Sequence, residues 1–246
     1  MPKKGKDFWN KEYAKGKRRG GPQEPHLALS TEPAEDLIKF TNWLERNYGR
    51  KFLNVTTLAL DCGCGNGRNL IYLAKEFGMR GYGYDISSEA ITQAKRHAAN
   101  VPSPEIAQRV QYEVRTLAEP IPLPEMSVTL ALDMMSSHVL RRTEREAFRA
   151  ELLRVLKPGG WLFFKSFLLE EDTHAKRLLK EYPGPEEGMY IHPEIGKAEY
   201  VWTESTLREF FEPYFTIHKI EKSHKHRHAD GTAWKRRTIS AYMEKA

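Results

Sequence analysis

Residues 58–67 read LALDCGCGNG. An apolar run ends in an acid, Asp61, and glycines then occupy positions 63, 65 and 67 before RNLIYLAKEF (68–77) takes up helical spacing. A strand that turns straight into a helix opens a strand–helix–strand unit, since a parallel neighbour is reached only through a crossover. Glycine admits positive φ and lets a ligand come close to the backbone. The helix N-terminus behind it offers free N–H groups.

The alternation continues. GYGYD (81–85) leads to helix SEAITQAKRHAAN (88–100), RVQYEVR (109–115) is a strand, and SVTLALD (127–133) follows a Pro-rich turn. Thr143 and Glu146 have capping-box spacing for a helix that Lys157-Pro158-Gly159-Gly160 ends, and WLFFKSF (161–167) is the fifth strand. Upstream, Thr31 is placed to cap a helix in which Leu37, Phe40, Leu44 and Tyr48 share a face. Downstream come a helical stretch (170–181), a Pro/Gly loop (183–196), helix TESTLREFF (203–211) and strands FTIHKIEKSHK (215–225) and WKRRTISAYME (234–244). Asp230-Gly231 marks the hairpin turn between those strands. The pattern predicts an α/β fold: a doubly wound, mostly parallel sheet with helices on both faces and an antiparallel last pair. Ligands of such sheets sit beyond the carboxyl ends of the strands.

No apolar run reaches the roughly 18 residues of a membrane span, and no apolar segment follows the charged N-terminus, so a cytoplasmic location is expected. Cys62 and Cys64 are the only cysteines, too few for a structural zinc site, and no metal is expected. The net charge is +6, but residues 1–20 hold eight Lys/Arg against Asp7 and Glu12, and residues 218–237 hold seven against Glu221 and Asp230. Those segments carry more than the whole net charge, which points either to solubility or to an anionic partner.

Three ligands compete for the glycine turn. A dinucleotide fingerprint has G-x-G-x-x-G spacing, and a phosphate loop needs G-K-[ST] after its last glycine; neither spacing is present. Asp61 would repel a pyrophosphate and suits a ligand bearing ammonium or sulfonium. Asp85, 18 residues beyond Gly67, closes the second strand where a carboxylate can take both hydroxyls of a ribose. A turn with no ligand is the remaining alternative.

With Asp61, Gly63, Gly65 and Gly67 in D-x-G-x-G-x-G order and Asp85 ending the next strand, the chain resembles the class I S-adenosylmethionine-dependent methyltransferases. LLRVLKPGGWLFF (152–164) is similar to that family's stretch leading into its fifth strand. The resemblance implies a Rossmann-like seven-stranded sheet with an antiparallel last strand, and S-adenosylmethionine as cofactor. It implies cofactor contacts at Asp61, Gly63, Cys64, Gly65, Asn66, Gly67, Asp85, Ile86, Thr116, Leu117, Asp133 and Met134. Thr116 and Thr129 stand where many members have acids.

FWNKEYAKG (8–16) resembles the F-W-x-x-x-Y lid of tellurite-resistance and thiopurine-type small-molecule methyltransferases, which places Trp9 and Tyr13 over the cofactor. Residues 1–30 are thus expected to form a basic lid segment ahead of one domain over 31–246, with 170–202 covering the pocket. In-line methyl transfer depends chiefly on alignment in a dry site. Where the acceptor bears a proton, Asp133 and His138 are the candidate bases, against the alternatives of a capping carboxylate and a polar loop histidine. Basic residues and imidazoles at 224–228 suggest an anionic or soft nucleophilic small acceptor. DMMS (133–136) departs from the N/D-P-P-[YFW] of exocyclic-amine methylases, so a nucleic-acid substrate is the lesser reading, beside a cofactor-binding protein without catalysis and a nicotinamide dehydrogenase.

Overall fold

The computed structural model describes residues 4–15, 30–193, 196–223 and 236–246. Helix α1 (Lys4–Lys15) precedes α2 (Glu35–Tyr48), after which strands and helices alternate: β1 (Leu58–Cys62), α3 (Arg68–Phe77), β2 (Arg80–Asp85), α4 (Ser88–Ala99), α5 (Pro104–Arg109) and β3 (Val110–Val114). Then come β4 (Val128–Met134), α6 (Arg142–Val155), β5 (Leu156–Phe167), α7 (Thr173–Glu181), β6 (Met189–Ile191), β7 (Ala198–Tyr200), α8 (Glu204–Phe211), β8 (Phe215–Lys222) and β9 (Thr238–Lys245).

Seven strands form one sheet in the order β3-β2-β1-β4-β5-β9-β8, with only β9 antiparallel to its neighbours. Chain direction along the sheet reverses between β1 and β4, so the loops after those strands part and leave a crevice there. Strand residues alternate between two cores, as the pleat requires. Ala59, Leu130, Leu132, Trp161, Phe163 and Tyr242 face α2, α3 and α4, while Leu60, Cys62, Ala131, Leu162, Phe164, Ala241 and Met243 face α6 and α8. Phe40 of α2 stacks on Phe163 with ring centroids 4.8 Å apart and an interplanar angle of 7°. The expected Rossmann-like sheet with its antiparallel last strand is what the chain forms.

Some local expectations need correction. Thr31 does not cap α2; Ala34 holds that position, and its N–H is bound at 3.1 Å by Asn69 Oδ1 from α3, a partner remote in sequence. The capping box of α6 is displaced two residues: Glu144 Oε2 accepts from the Arg141 N–H at 2.9 Å. β5 already begins at Leu156, because Pro158 and Gly159 bulge within the strand's first residues rather than before it. The strand expected over 215–225 closes at Lys222, and the Asp230-Gly231 turn lies outside the described residues. The described residues of 170–202 include α7 and the two-stranded ribbon β6–β7. No described helix is long and apolar enough to cross a membrane.

Candidate functional site

Three carboxylates close three adjacent strands at one edge of the sheet. Asp61 is the penultimate residue of β1, Asp85 the last of β2, and Asp133 the penultimate residue of β4, one rung beyond Asp61, where it pairs with Cys62. Asp61 is 1% exposed and its Oδ2 has no hydrogen-bond partner. Burial, then the charges of Asp85 and Asp133, push its carboxyl up to about 7, tempered by the half-buried Arg68 guanidinium. Burial pushes Asp133 up to about 6 although Ser137 donates to it, and burial also raises Asp85. An edge so rich in confined negative charge favours a cationic ligand.

The glycine turn is held to β2 rather than to its own strand. Gly63 and Cys64 N–H groups both donate to Tyr84 O, at 2.7 and 3.0 Å, and Gly65 N–H donates to Asp85 Oδ2 at 2.9 Å. Asp85 Oδ1 accepts from Ser87 N–H at 2.8 Å, so one carboxylate ties the turn to the start of α4. Gly65 has φ +54°, and a Cβ there would meet the Tyr13 hydroxyl at 2.5 Å. Gly67, at φ +78°, caps α3 against the Tyr112 ring, whose hydroxyl donates to Gly67 O at 3.1 Å. Both thiols are buried, which pushes them up and keeps them protonated.

Helix α1 reaches this turn. Asn10 Oδ1 accepts from Ser87 Oγ at 2.8 Å and from Glu89 N–H at 3.2 Å, and Gln93 Nε2 donates to Tyr13 O at 2.7 Å. These bonds lay α1 across the start of α4 and bring the Tyr13 phenol onto Gly65. Trp9 makes its ring contact with Phe8, edge-on at 5.1 Å. Asn66 turns outward from the loop, its amide donating to Ser30 O at 2.8 Å. Ile86 follows Asp85 and is half-buried, while Thr116 and Leu117 follow Arg115, whose N–H donates to Asp85 O at 2.9 Å.

The loop after β4 closes the opposite side. Met134 Sδ accepts weakly from Asn69 Nδ2 at 3.6 Å. Met135 takes φ +62°, a left-handed conformation that costs a bulky residue energy, and the Ser136 hydroxyl then lies against Gly63. Asp133 Oδ1 accepts from Ser137 N–H at 3.1 Å and so fixes the 3₁₀ turn Ser137–Val139. His138, one alternative for which was a polar loop residue, is only 4% exposed and packs edge-on against Phe167 at 5.1 Å. Its Nδ1 has no partner, and burial depresses its basicity so that the ring is neutral at pH 7.

The β6–β7 ribbon packs on that turn. Fully buried Tyr190 donates its hydroxyl to Glu199, and Arg236 Nη1 donates to the same hydroxyl. Arg236 lies over the Phe167 ring at 3.8 Å. Arg68, Ser136, Glu199 and Arg236 were not singled out from sequence. Arg68 and Ser136 border the glycine motif in sequence or in space, but nothing local marks the other two.

Residues 59–160 match the family described as a methyltransferase domain. A fatty-acid O-methyltransferase of Mycolicibacterium smegmatis is 26% identical over 146 residues, 59% of this chain and 50% of that protein. The chain spans about half or less of the length of the curated relatives it matches. Among solved structures, a SAM-dependent methyltransferase from Methanosarcina mazei superposes with a TM-score of 0.64 at 25% identity, covering 80% of this chain and 95% of that one. A geranyl diphosphate C-methyltransferase from Streptomyces coelicolor A3(2), solved with Mg2+, geranyl diphosphate and S-adenosyl-L-homocysteine, has the same fold at 15% identity, with a TM-score of 0.61 and coverage of 100% and 99%.

Proposed function

We propose that the chain, whose residues 59–160 match a methyltransferase domain and whose sheet is that of S-adenosylmethionine-dependent methyltransferases, moves a methyl group from that cofactor to a small acceptor, anionic or softly nucleophilic. The observation that carries the reading is the unpartnered Oδ2 of Asp61, buried beside two further acids and a turn whose glycines leave the backbone bare. That donor set fits a zwitterionic sulfonium nucleoside and fits a pyrophosphate poorly.

When bound, the cofactor supplies an electrophilic methyl on a cationic sulfur. Asp61 would take the ammonium, and the bare backbone of residues 63–67 would line the amino-acid portion. Asp85 takes the ribose hydroxyls with the lone pairs left by its two backbone bonds, and Ile86, Thr116 and Leu117 flank the base. Cys64 and Asn66 shape the turn, and Met134 borders the reacting edge. Tyr13 and Trp9 on α1 close the site against water, leaving the reaction to alignment in a dry cleft. His138, neutral and unpartnered at Nδ1, receives the proton of a protic acceptor, and Asp133 positions the turn that carries it. The relative named for fatty acids supports an anionic acceptor.

Calorimetry with S-adenosylmethionine, S-adenosylhomocysteine and NADH tests the reading. Heat with the first two and none with the third is expected; tight NADH binding alone defeats it. Transfer of labelled methyl into a metabolite extract then identifies acceptors.

A further inference from the structure

The Arg236 guanidinium is hydrogen-bonded on one edge only. Nη1 is engaged with the Tyr190 hydroxyl and lies 3.5 Å from Glu199 Oε2. Nε and Nη2, on the adjoining edge, are buried and have no hydrogen-bond partner. Asp172 Oδ2 stands 3.7 Å from Nε, beyond hydrogen-bond reach, and the Asp172 oxygens already accept from Ala175 N–H at 2.9 Å and Arg237 N–H at 3.1 Å. Buried donors left unpaired are costly, and the Nε–Nη2 edge is the one that matches the two oxygens of a carboxylate.

We infer that the acceptor is a carboxylic acid with an apolar body, its carboxylate seated on the Nε–Nη2 edge of Arg236. This rests on the methyltransferase reading for the word acceptor, but the seat stands on its own geometry. The guanidinium cannot swing away, because Phe167 lies under it at 3.8 Å and Tyr190 at 5.3 Å. Two carboxylates, Glu199 and Asp172, already offset its charge, so a dianionic phosphate is repelled more than a monoanionic carboxylate. Phe167, Leu169 and Leu179, the partly buried members of the apolar cluster beside the seat, are the surfaces that an alkyl or aryl body would meet. His138 also packs on Phe167, nearly perpendicular to it at 5.1 Å, so imidazole and seat share one ring.

Calorimetric titration of octanoate, octanamide and octyl phosphate, with and without S-adenosylhomocysteine, tests the seat. Octanoate should bind about 10- to 100-fold more tightly than octanamide, the worth of hydrogen bonds to a charged group, and more tightly than octyl phosphate. Arg236→Lys and Arg236→Gln should bring the acid-to-amide ratio near one while the nucleoside still binds. Should both variants unfold, the ¹⁵N-labelled Arg Nε–H resonances of the wild-type protein give the answer: one should move with octanoate and not with octanamide. A wild-type ratio near one, a ratio unchanged in folded variants, tighter octyl phosphate, or unmoved Nε–H signals would each overturn the inference. Loss of nucleoside binding with the acid preference intact would instead count against the cofactor reading alone.

Discussion

Gly65 N–H donates to Asp85 Oδ2 at 2.9 Å, so the carboxylate proposed to take the ribose also fixes the glycine turn. Removing it loosens the turn and deletes a ligand contact together. Asp85→Ala should weaken S-adenosylhomocysteine binding about 10- to 100-fold, as expected for lost charge-assisted hydrogen bonds, read by calorimetry. Asp85→Asn, which keeps one acceptor oxygen, should fall between.

Asp61 sits at about 7, above its ordinary 3.8. A carboxyl that holds its proton more tightly folded than unfolded favours folding at low pH, and that contribution is lost as pH rises through 7. Thermal midpoints of the free protein should therefore decline from about pH 4 to about pH 7 through this group and level off above it, and Asp61→Asn should flatten the slope. A cationic ligand needs the ionised form, so nucleoside affinity should improve over the same interval. Calorimetry in buffers of different ionisation enthalpy should show proton release near pH 6.5 to 7.

Gly65 is doubly constrained, by φ +54° and by the Tyr13 hydroxyl. Gly65→Ala should cost about 1–3 kcal/mol from the left-handed backbone alone. Adding Tyr13→Ala removes the clash but leaves the strain, so denaturant melts should show partial rescue only. Tyr13→Ala by itself should speed nucleoside release about tenfold, the worth of a typical lost contact of about 1.4 kcal/mol, followed by stopped flow.

With an acceptor whose reacting group carries a proton, His138→Gln should lower kcat by about 10²–10⁴-fold, the usual contribution of a general base, with nucleoside affinity unchanged; with a carboxylate as the reacting group, which brings no proton, kcat should change little. The acid limb of the kcat profile should lie below the ordinary histidine range, because burial depresses the ring. A profile still limited by a group of ordinary histidine basicity in the variant would exclude this role.

Phe40 is wholly buried among Phe163, Trp161 and Tyr242. Phe40→Ala should destabilise the fold by about 3–5 kcal/mol, measured by urea unfolding.

What was legible in the sequence was local. The β1 run, the three glycines and Asp85 lie within 28 residues, and their periodicity and φ demands are fixed by near neighbours. A parallel sheet followed from strands alternating with helices, and its antiparallel closing pair from the Asp230-Gly231 turn, whereas the order of the strands was not read from the sequence. The environment of His138 was not legible, since Phe167 comes from β5, Glu199 from β7 and Arg236 from the approach to β9. The start of α2 went astray for the same reason: Asn69, not Thr31, supplies the polar partner. Pattern reading sees helices and strands, but a buried polar cluster drawn from four segments has no period.

β8 joins the sheet only through β9, a strand made after it. During synthesis, then, the nucleoside half built on β1 to β4 has its neighbours early, whereas the ring-and-arginine half must wait until β9 slides between β5 and β8. Any nascent or clipped chain ending before that insertion would carry a cradle without a grip, together with an unzipped β5 edge open to a second chain.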